Sequence, residues 1–463
     1  MMKTIKAPLL LIIATLISVA AYRGGLSPHQ SSILGVFSLS ILGTLFFWEY
    51  RLSFVFIGSG MLLAMKGADL ETFIRFASLD VILFLIGMMI MVALLEGEGF
   101  FSYLITLILR VKHLSAMKLF LLIMLMSAGF SAVMGEITST ILMCKVIFDM
   151  CSFLDVSPTP LVIASVLATN IGSAATVLGN PVGVLIAARG KLVFGDFLVR
   201  ALPLSLVVLI LTVGVMYLYF RKYIHNLSPR LKTLDENTEF LYLISVPPDK
   251  KTKISLAIFV GTIVLMSFHR HIEFLFSIEE GTMLLIMPIM SAGVVLAYRQ
   301  DKMLHYIEHK VEWASLLFFM FLFAQAGVIQ ACGIADFLAH HIIDAVGNNP
   351  TLIMTAVLVS SGAFSSVLDN TVAVASYVPV IQGMGNLGFN AKPLWWALLF
   401  GACYGGNITM IGSTANIVAL GLLEKHGYKG ITFAEWLKIG LVVGVLSIGV
   451  AVAAISLLPV YSR

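Results

Sequence analysis

The chain is written as long apolar runs separated by short polar joints. Segments 7–21, 31–48, 52–65, 81–95, 115–134, 201–220, 254–268, 282–297, 314–331, 351–364 and 439–459 read as membrane helices or hairpin arms, a full crossing needing about 20 residues. With the interrupted segments described next they predict roughly ten to twelve crossings and hairpin arms and leave little room for a soluble domain. Composition agrees: 59% of residues are hydrophobic and 12% charged, and the mean hydropathy of +1.00 lies outside the range of a soluble domain of this length.

Two apolar stretches are broken in the same way. One reads Gly172-Ser-Ala-Ala-Thr176-Val-Leu-Gly179-Asn180-Pro181-Val-Gly183, the other Gly405-Gly-Asn407-Ile-Thr409-Met-Ile-Gly412-Ser413-Thr-Ala-Asn416. The differences 405 − 172, 409 − 176 and 412 − 179 are all 233, so one duplicated unit places Gly172, Gly179 with Pro181, Gly405 and Gly412 at equivalent breaks. Backbone at membrane depth must satisfy its own hydrogen bonds, and a break is tolerated where it lines a polar cavity. Matched breaks in two halves mark the binding site of a transporter.

Upstream of each break lies a second matched pair. Phe130-Ser-Ala-Val-Met-Gly135-Glu136-Ile-Thr138 aligns with Phe364-Ser-Ser-Val-Leu-Asp369-Asn370-Thr371, since 364 − 130 and 370 − 136 both equal 234. Each copy carries one carboxylate in an otherwise uncharged run, offset by one position. A buried carboxylate costs several kcal/mol unless it is partnered, so Glu136 and Asp369 are the leading candidates for binding a cation or proton. Two re-entrant hairpins would carry Glu136, Thr138, Asp369, Asn370 and Thr371 toward the midplane, where the broken helices present Asn170, Thr176, Asn180, Asn407, Thr409 and Asn416. Half-helix N-termini favour anions, while free carbonyls and side-chain oxygens favour Na⁺.

Charge then orients the chain. The net charge of +4 is small, which makes nucleic acid an unexpected partner and leaves the basic residues as topology signals. The longest polar stretch, 221–253, reads as a cytoplasmic linker. The turn holding Arg110, Lys112 and Lys118 is basic, whereas its counterpart near Asp344 to Leu352 has neither Lys nor Arg, which predicts turns on opposite faces and an inverted repeat. Met1 to Tyr22 has the basic start and apolar core of a signal peptide, and an uncleaved first helix is the preferred reading. The four cysteines, Cys144, Cys151, Cys332 and Cys403, show neither metal-ligand nor disulfide-framework spacing.

These motifs resemble the ion transporter superfamily that includes the pink-eyed dilution P protein, NhaD-type sodium/proton antiporters, the arsenite permease and dicarboxylate/sodium symporters. The resemblance covers nearly the whole chain after the first helix. It is closest to the P protein and arsenite-permease branch, through Leu85-Ile-Gly-Met-Met-Ile-Met-Val-Ala93 with Gly97-Glu-Gly-Phe-Phe101, through Ala168-Thr-Asn-Ile-Gly172 with Thr176, and through Phe194-Gly-Asp-Phe-Leu198 echoed by Phe433-Ala-Glu-Trp-Leu437. It implies a citrate transporter-like fold of two inverted repeats, each with a helical hairpin and an unwound helix. It also implies an elevator-type transport domain moving against a scaffold, commonly in a homodimer, with Na⁺ or H⁺ coupling. The chain departs from the branch at Met134-Gly135-Glu136, where Leu-Asp-Asn is frequent, and at Gly179-Asn180-Pro181-Val182-Gly183, where Gly-Asp-Pro-Pro-Asn is frequent. The first repeat has thus lost one carboxylate and moved another.

Bland readings stand beside the functional ones. Glu136 and Asp369 could be hydrogen-bonded acids holding hairpin tips, Asn407 and Asn416 could join helices, and the Thr176 and Thr409 hydroxyls could bond back to their own helices. Lys145, where the second repeat has Pro379, is either a fixed charge for an anion or a snorkelling lysine paired with Asp149 at spacing i, i+4. His305, His309 and the pair His340-His341 read as solvated or interfacial. A membrane enzyme would need a nucleophile or paired acids with an orienting partner, and neither a Gly-x-Gly-Asp nor a His-Glu-x-x-His motif is present. A channel would not need matched breaks beside re-entrant acids, but P-like relatives blur that line, and an ion channel stands as the non-carrier alternative.

The expectation is an all-α polytopic protein of the inner or plasma membrane, not an enzyme, divided into an extra N-terminal helix (1–30), a first repeat (31–220), the linker (221–253) and a second repeat (254–463). It would move a small inorganic ion, by cation/proton antiport or arsenite-type export, with a citrate-like di- or tricarboxylate as the alternative cargo. The lipid bilayer and the transported ion are its expected partners, and Na⁺ or H⁺ stands in place of any cofactor. Asp369→Asn is expected to abolish coupled transport and leave folding intact.

Overall fold

The computed structural model describes residues 2–100, 103, 115–235, 249–279 and 281–461. Arg110 and Lys112 of the basic turn, Phe101, and the linker residues Glu236 and Glu239 lie outside the described residues. Helices of seven residues or more are α1 (Met2–Arg23), α2 (Pro28–Phe46), α3 (Arg51–Ala64), α4 (Leu70–Phe76) and α5 (Leu79–Gly97), then the hairpin α6 (Ala116–Met134) and α7 (Glu136–Leu154). The first broken helix follows as α8 (Thr159–Ser173) and α9 (Pro181–Gly190), and α10 (Leu202–Asp235) closes the first half. The second half holds α11 (Lys250–Ser267), α12 (His269–Phe276), α13 (Thr282–Tyr298), α14 (Trp313–Ala331) and α15 (Ile334–Val346). Its hairpin is α16 (Pro350–Ser365) with α17 (Asn370–Asn386), its broken helix is α18 (Lys392–Gly405) with α19 (Thr414–Lys425), and α20 (Phe433–Leu457) comes last.

Each apolar window of the sequence falls in one of these helices. Among the described residues seven helices are long and apolar enough to cross a membrane, eight if α15 and α16, bent by 114°, count as one span. The difference from the larger expected number is physical: the arms of the broken helices are only 10 to 15 residues long, and α11 begins with Lys250, Lys251 and Lys253. The linker is also shorter than its composition suggested, because α10 continues as a helix to Asp235 past a kink at Phe220.

Local sequence sets the helix starts. Pro follows a capping residue at α2 (Ser27), α9 (Asn180) and α16 (Asn349), where its missing N–H costs nothing and the side chain before it accepts a first-turn N–H. Asp249 caps α11 by accepting from Thr252, and Thr432 with Glu435 forms a capping box at α20.

The duplicated register extends to the helices. The starts of α5 and α14, of α6 and α16, and of α7 and α17 differ by 234 (313 − 79, 350 − 116, 370 − 136), and those of α8 and α18 and of α9 and α19 differ by 233 (392 − 159, 414 − 181). Packing repeats as well: α6 lies on α8 as α16 lies on α18. A Cβ on Gly172 would fall on the backbone of Ala128, and one on Gly405 on that of Gly362. These glycines buy close helix approach rather than an unusual backbone, since neither has a positive φ.

One face gathers the ends of α5, α7 and α10 and the start of α11. The Thr252 hydroxyl donates to the Glu98 carbonyl at 2.7 Å, and Arg230 donates to the Leu154 and Asp155 carbonyls at 3.0 and 2.9 Å. At the opposite face Arg200 donates to the Val460 carbonyl at 2.8 Å. The base of the first hairpin packs Phe148 against His426 and Tyr428, just before α20, whereas the base of the second lies beside Leu457 to Pro459, just after it. The two hairpins therefore enter from opposite ends of α20.

Candidate functional site

Both hairpin tips and both breaks meet in the interior. The breaks are fixed by equivalent hydrogen bonds: the Thr176 hydroxyl donates to the Ala132 carbonyl and accepts from the Leu178 N–H at 3.1 Å, as the Thr409 hydroxyl donates to the Ser366 carbonyl and accepts from the Ile411 N–H at 3.3 Å. Both threonines thus bind the neighbouring hairpin rather than their own helix. Asn170 donates to the side-chain oxygens of Asn407 at 2.8 Å and Asn416 at 2.9 Å and accepts from the Ser413 hydroxyl at 3.0 Å. Asn416 donates onward to the Gly406 and Thr409 carbonyls, and Asn407 to that of Leu167. These three asparagines are fully buried and mutually satisfied; they join the two broken helices and do not line the cavity.

The two tips differ in charge placement. Asp369 accepts the N–H of Thr371 at 3.0 Å with one oxygen, and the N–H at 3.0 Å and hydroxyl at 2.5 Å of Thr414 with the other. One carboxylate therefore caps α17 and α19 together and neutralises both positive helix ends. The equivalent residue in the first repeat is Gly135, at φ +88° with open space where a Cβ would stand, and α7 starts without a side-chain cap.

At the next position Asn370 faces Glu136. Asn370 is fully buried, and with its amide oriented so that the nitrogen faces the carbonyls of Ala402 and Gly412, 3.0 Å away each, it donates to both. Glu136 is 5% exposed, lies beside Ser173 and Asn370 within electrostatic reach of Asp369, and has one buried oxygen without a hydrogen-bond partner. The residues matching Ser365 and Ala402 in the first repeat are Ser131 and Thr169, and their buried hydroxyls also lack partners. The second repeat's cluster is closed by hydrogen bonds, and the first repeat's is left open.

A cavity of about 490 Å³ leads away from Glu136. Thr138, Asn180, Pro181, Thr371 and Thr414 line its inner end, and Glu96, Lys145, His309 and Lys310 its outer end. Lys310 pairs with Glu96 at 2.7 Å, and His309 is 63% exposed, so the mouth opens on the linker face. Among the described residues Lys145 forms no ion pair, with Asp149 or otherwise, and is free to meet a ligand. Asn180 caps α9 through the Gly183 N–H at 2.8 Å and donates to the Ser173 hydroxyl at 2.9 Å. No group of three or more His, Cys, Asp or Glu side chains able to hold a metal ion occurs among the described residues.

Sequence reasoning missed Thr414, Ser173, Glu96, Lys310 and Glu312. Thr414 had a signal, as the residue matching Pro181, and Ser173 lies in the duplicated motif beside Gly172; Glu96, Lys310 and Glu312 come from segments with no repeat signature of their own.

The chain matches the citrate transporter family CitMHS over residues 9–401 and 282–462. It belongs to that family. A transporter of Mycobacterium tuberculosis, strain H37Rv, named uncharacterized, is 31% identical over 379 residues, covering 80% of this chain and 84% of the relative. A second such transporter of the same strain is 29% identical over 385 residues with the same coverage. The P protein of Homo sapiens is 27% identical over 447 residues, covering 81% of this chain and 53% of that protein. The citrate transporter family and these relatives, with the apolar helices, make the chain a multi-pass membrane transporter.

Proposed function

We propose that the chain is a secondary active carrier of two inverted repeats in which Glu136 takes up the coupling ion, H⁺ or Na⁺, at the head of a cavity open to one side. The exchange of Asn370 for Glu136 carries this reading. An amide supplies two hydrogens to the carbonyls around it, and an ionised carboxylate supplies none, so a buried Glu136 wants a proton or a cation beside it. The constant register of the paired helices and the opposite entry of the hairpins support the inverted repeat. An elevator-type motion would then carry the tips and breaks past α5 and α14.

For the cargo, an anion of the citrate class fits best. A cavity of about 490 Å³ is of organic-ligand size, Lys145 offers a free positive charge, and the family description names citrate. The sequence expectation put an inorganic ion first and a citrate-like carboxylate second; the cavity's size reverses that order. Cation/proton antiport remains a second reading because Asp369 lies within electrostatic reach of Glu136.

Proteoliposome flux separates them. Uptake of labelled citrate driven by an imposed pH or Na⁺ gradient, and lost in Glu136→Gln, is the expected result. If citrate stays outside while Na⁺ or Li⁺ moves the internal pH, the antiport reading replaces it.

A further inference from the structure

A second cleft repeats the first in mirror image. The cavity below Glu136 is lined by Ala93 and Glu96 of α5 and by Ile141 and Lys145 of α7, and adding 234 to each gives Gly327 and Gln330 of α14 and Ala375 and Pro379 of α17. Those four residues line one cleft at the other end of α14, with a volume of about 10 Å³ against about 490 Å³. Two equivalent surfaces thus exist in one open and one collapsed form.

Two contacts close the collapsed cleft. The Phe76 ring sits where a Cβ on Gly327 would stand, so this wall is sealed by ring-on-backbone packing. Arg189, in the last turn of α9, donates to the buried hydroxyl of Ser78 at the start of α5 and lies within electrostatic reach of Asp80. The positions matching Phe76 and Ser78 in the open cavity are Lys310 and Glu312; Lys310 pairs with Glu96 at 2.7 Å and puts no aromatic ring on the wall.

We infer that the collapsed cleft between α14 and α17 is the carrier's second mouth, on the face opposite the linker, and that Arg189 on Ser78 is the latch holding it shut. Resting on the carrier reading above, it names the residues that control access. A charge-assisted hydrogen bond is among the stronger single contacts a moving body can make and break. Arg189 belongs to the broken helix and Ser78 to the wall, so the bond crosses the sliding interface. Gln330 and Gln382 then become the polar lining of the opened path.

Thiol labelling in oriented vesicles tests this without any cargo. Gln382→Cys and Ile141→Cys are made separately in the full chain, with the parent as background, and an impermeant maleimide is applied to one face at a time. Adding Arg189→Ala should speed labelling of Gln382→Cys from the face opposite the linker by about tenfold, as loss of a hydrogen bond to a charged group allows. It should slow labelling of Ile141→Cys from the linker face, and Arg189→Lys should fall between. Unchanged labelling of Gln382→Cys in Arg189→Ala would overturn the latch; a rise at both positions together would mean a loosened fold and overturn it as well. A failure of the coupling reading appears only in flux and leaves these rates as they are.

Discussion

Asp369 and Gly135 occupy the same place in the two repeats, yet only Asp369 reaches across to a second helix, where the Thr414 hydroxyl donates to it at 2.5 Å. Its carboxylate is the common cap of α17 and α19, and each cap is worth about 1 kcal/mol. Asp369→Ala should therefore lower unfolding stability by about 2 kcal/mol, read as a fall in melting temperature in detergent. Asp369→Asn keeps one acceptor oxygen and should lose about half as much. This revises the sequence expectation that Asp369→Asn leaves folding intact, because the acid is tied into the backbone of two helices.

Gly405 meets the backbone of Gly362 so closely that a methyl group has nowhere to go. Gly405→Ala should force α16 and α18 apart and cost about 1–3 kcal/mol. Gly172→Ala, opposite Ala128 in the first repeat, should cost a similar amount, whereas Gly214→Ala, with nothing near its added carbon, should not. Thermal stability of the three variants side by side checks the pairing; equal melting temperatures would remove close approach as the reason for these glycines.

Arg299 and Glu98 are both largely buried where α13 ends beside the end of α5, with side-chain exposures of 10% and 6%. Arg299 also reaches Asp301 at 2.7 Å. Hydrogen bonding to Arg299 holds the Asp301 carboxyl down at about 2. A depressed carboxyl pKa contributes stability above its unfolded value near 4, so this contribution should persist at neutral pH and disappear as pH falls from about 4 toward 2. Among the described residues Arg299→Ala leaves Glu98 with the more distant Lys302, at 3.8 Å, as its one cationic neighbour. Breaking such a pair from one side costs about 3–5 kcal/mol, so the variant should express poorly, and Arg299→Ala with Glu98→Gln should recover part of the yield.

Much of this was legible because a membrane chain separates its signals. Apolar runs announced the helices, and a carboxylate in such a run, as at Glu136 and Asp369, stood out without competition. The duplicated register gave the breaks and the meeting of tips and breaks. Roles were harder to read. Asn170, Asn407 and Asn416 look like ion ligands in sequence, and only the fold shows that each one's hydrogen bonds are filled by another's. Asp369 looked free for the same reason, its partner Thr414 lying 45 positions away. Glu96 and Lys310 sit at helix ends where charge is ordinary, and nothing local says that they meet across a cavity mouth.

Lys145 is a positive charge on the cavity wall where the second repeat has Pro379. Being exposed and unpaired among the described residues, it contributes little to folding, so Lys145→Gln should leave the unfolding free energy within about half a kcal/mol of the parent. Its effect belongs to binding. For an anionic cargo the KM should rise about tenfold in Lys145→Gln with little change in maximal rate, and Lys145→Arg should stay near the parent. For a cationic cargo the same change should leave KM unchanged or lower it, so this variant reports the sign of the cargo's charge.

Glu136→Gln gives the first repeat what the second already has. The new amide stands where Asn370 donates to two carbonyls at 3.0 Å, so the variant should fold as well as the parent or be stabilised by about 1 kcal/mol. A glutamine can neither bind and release a proton nor balance the charge of Na⁺, so uptake against a gradient should fall to background while exchange of cargo at equal concentrations persists. Melting temperature and the ratio of uphill uptake to exchange together check this. A stable variant that still concentrates its cargo would move the coupling site away from Glu136, with Asp369 the next carboxylate to test.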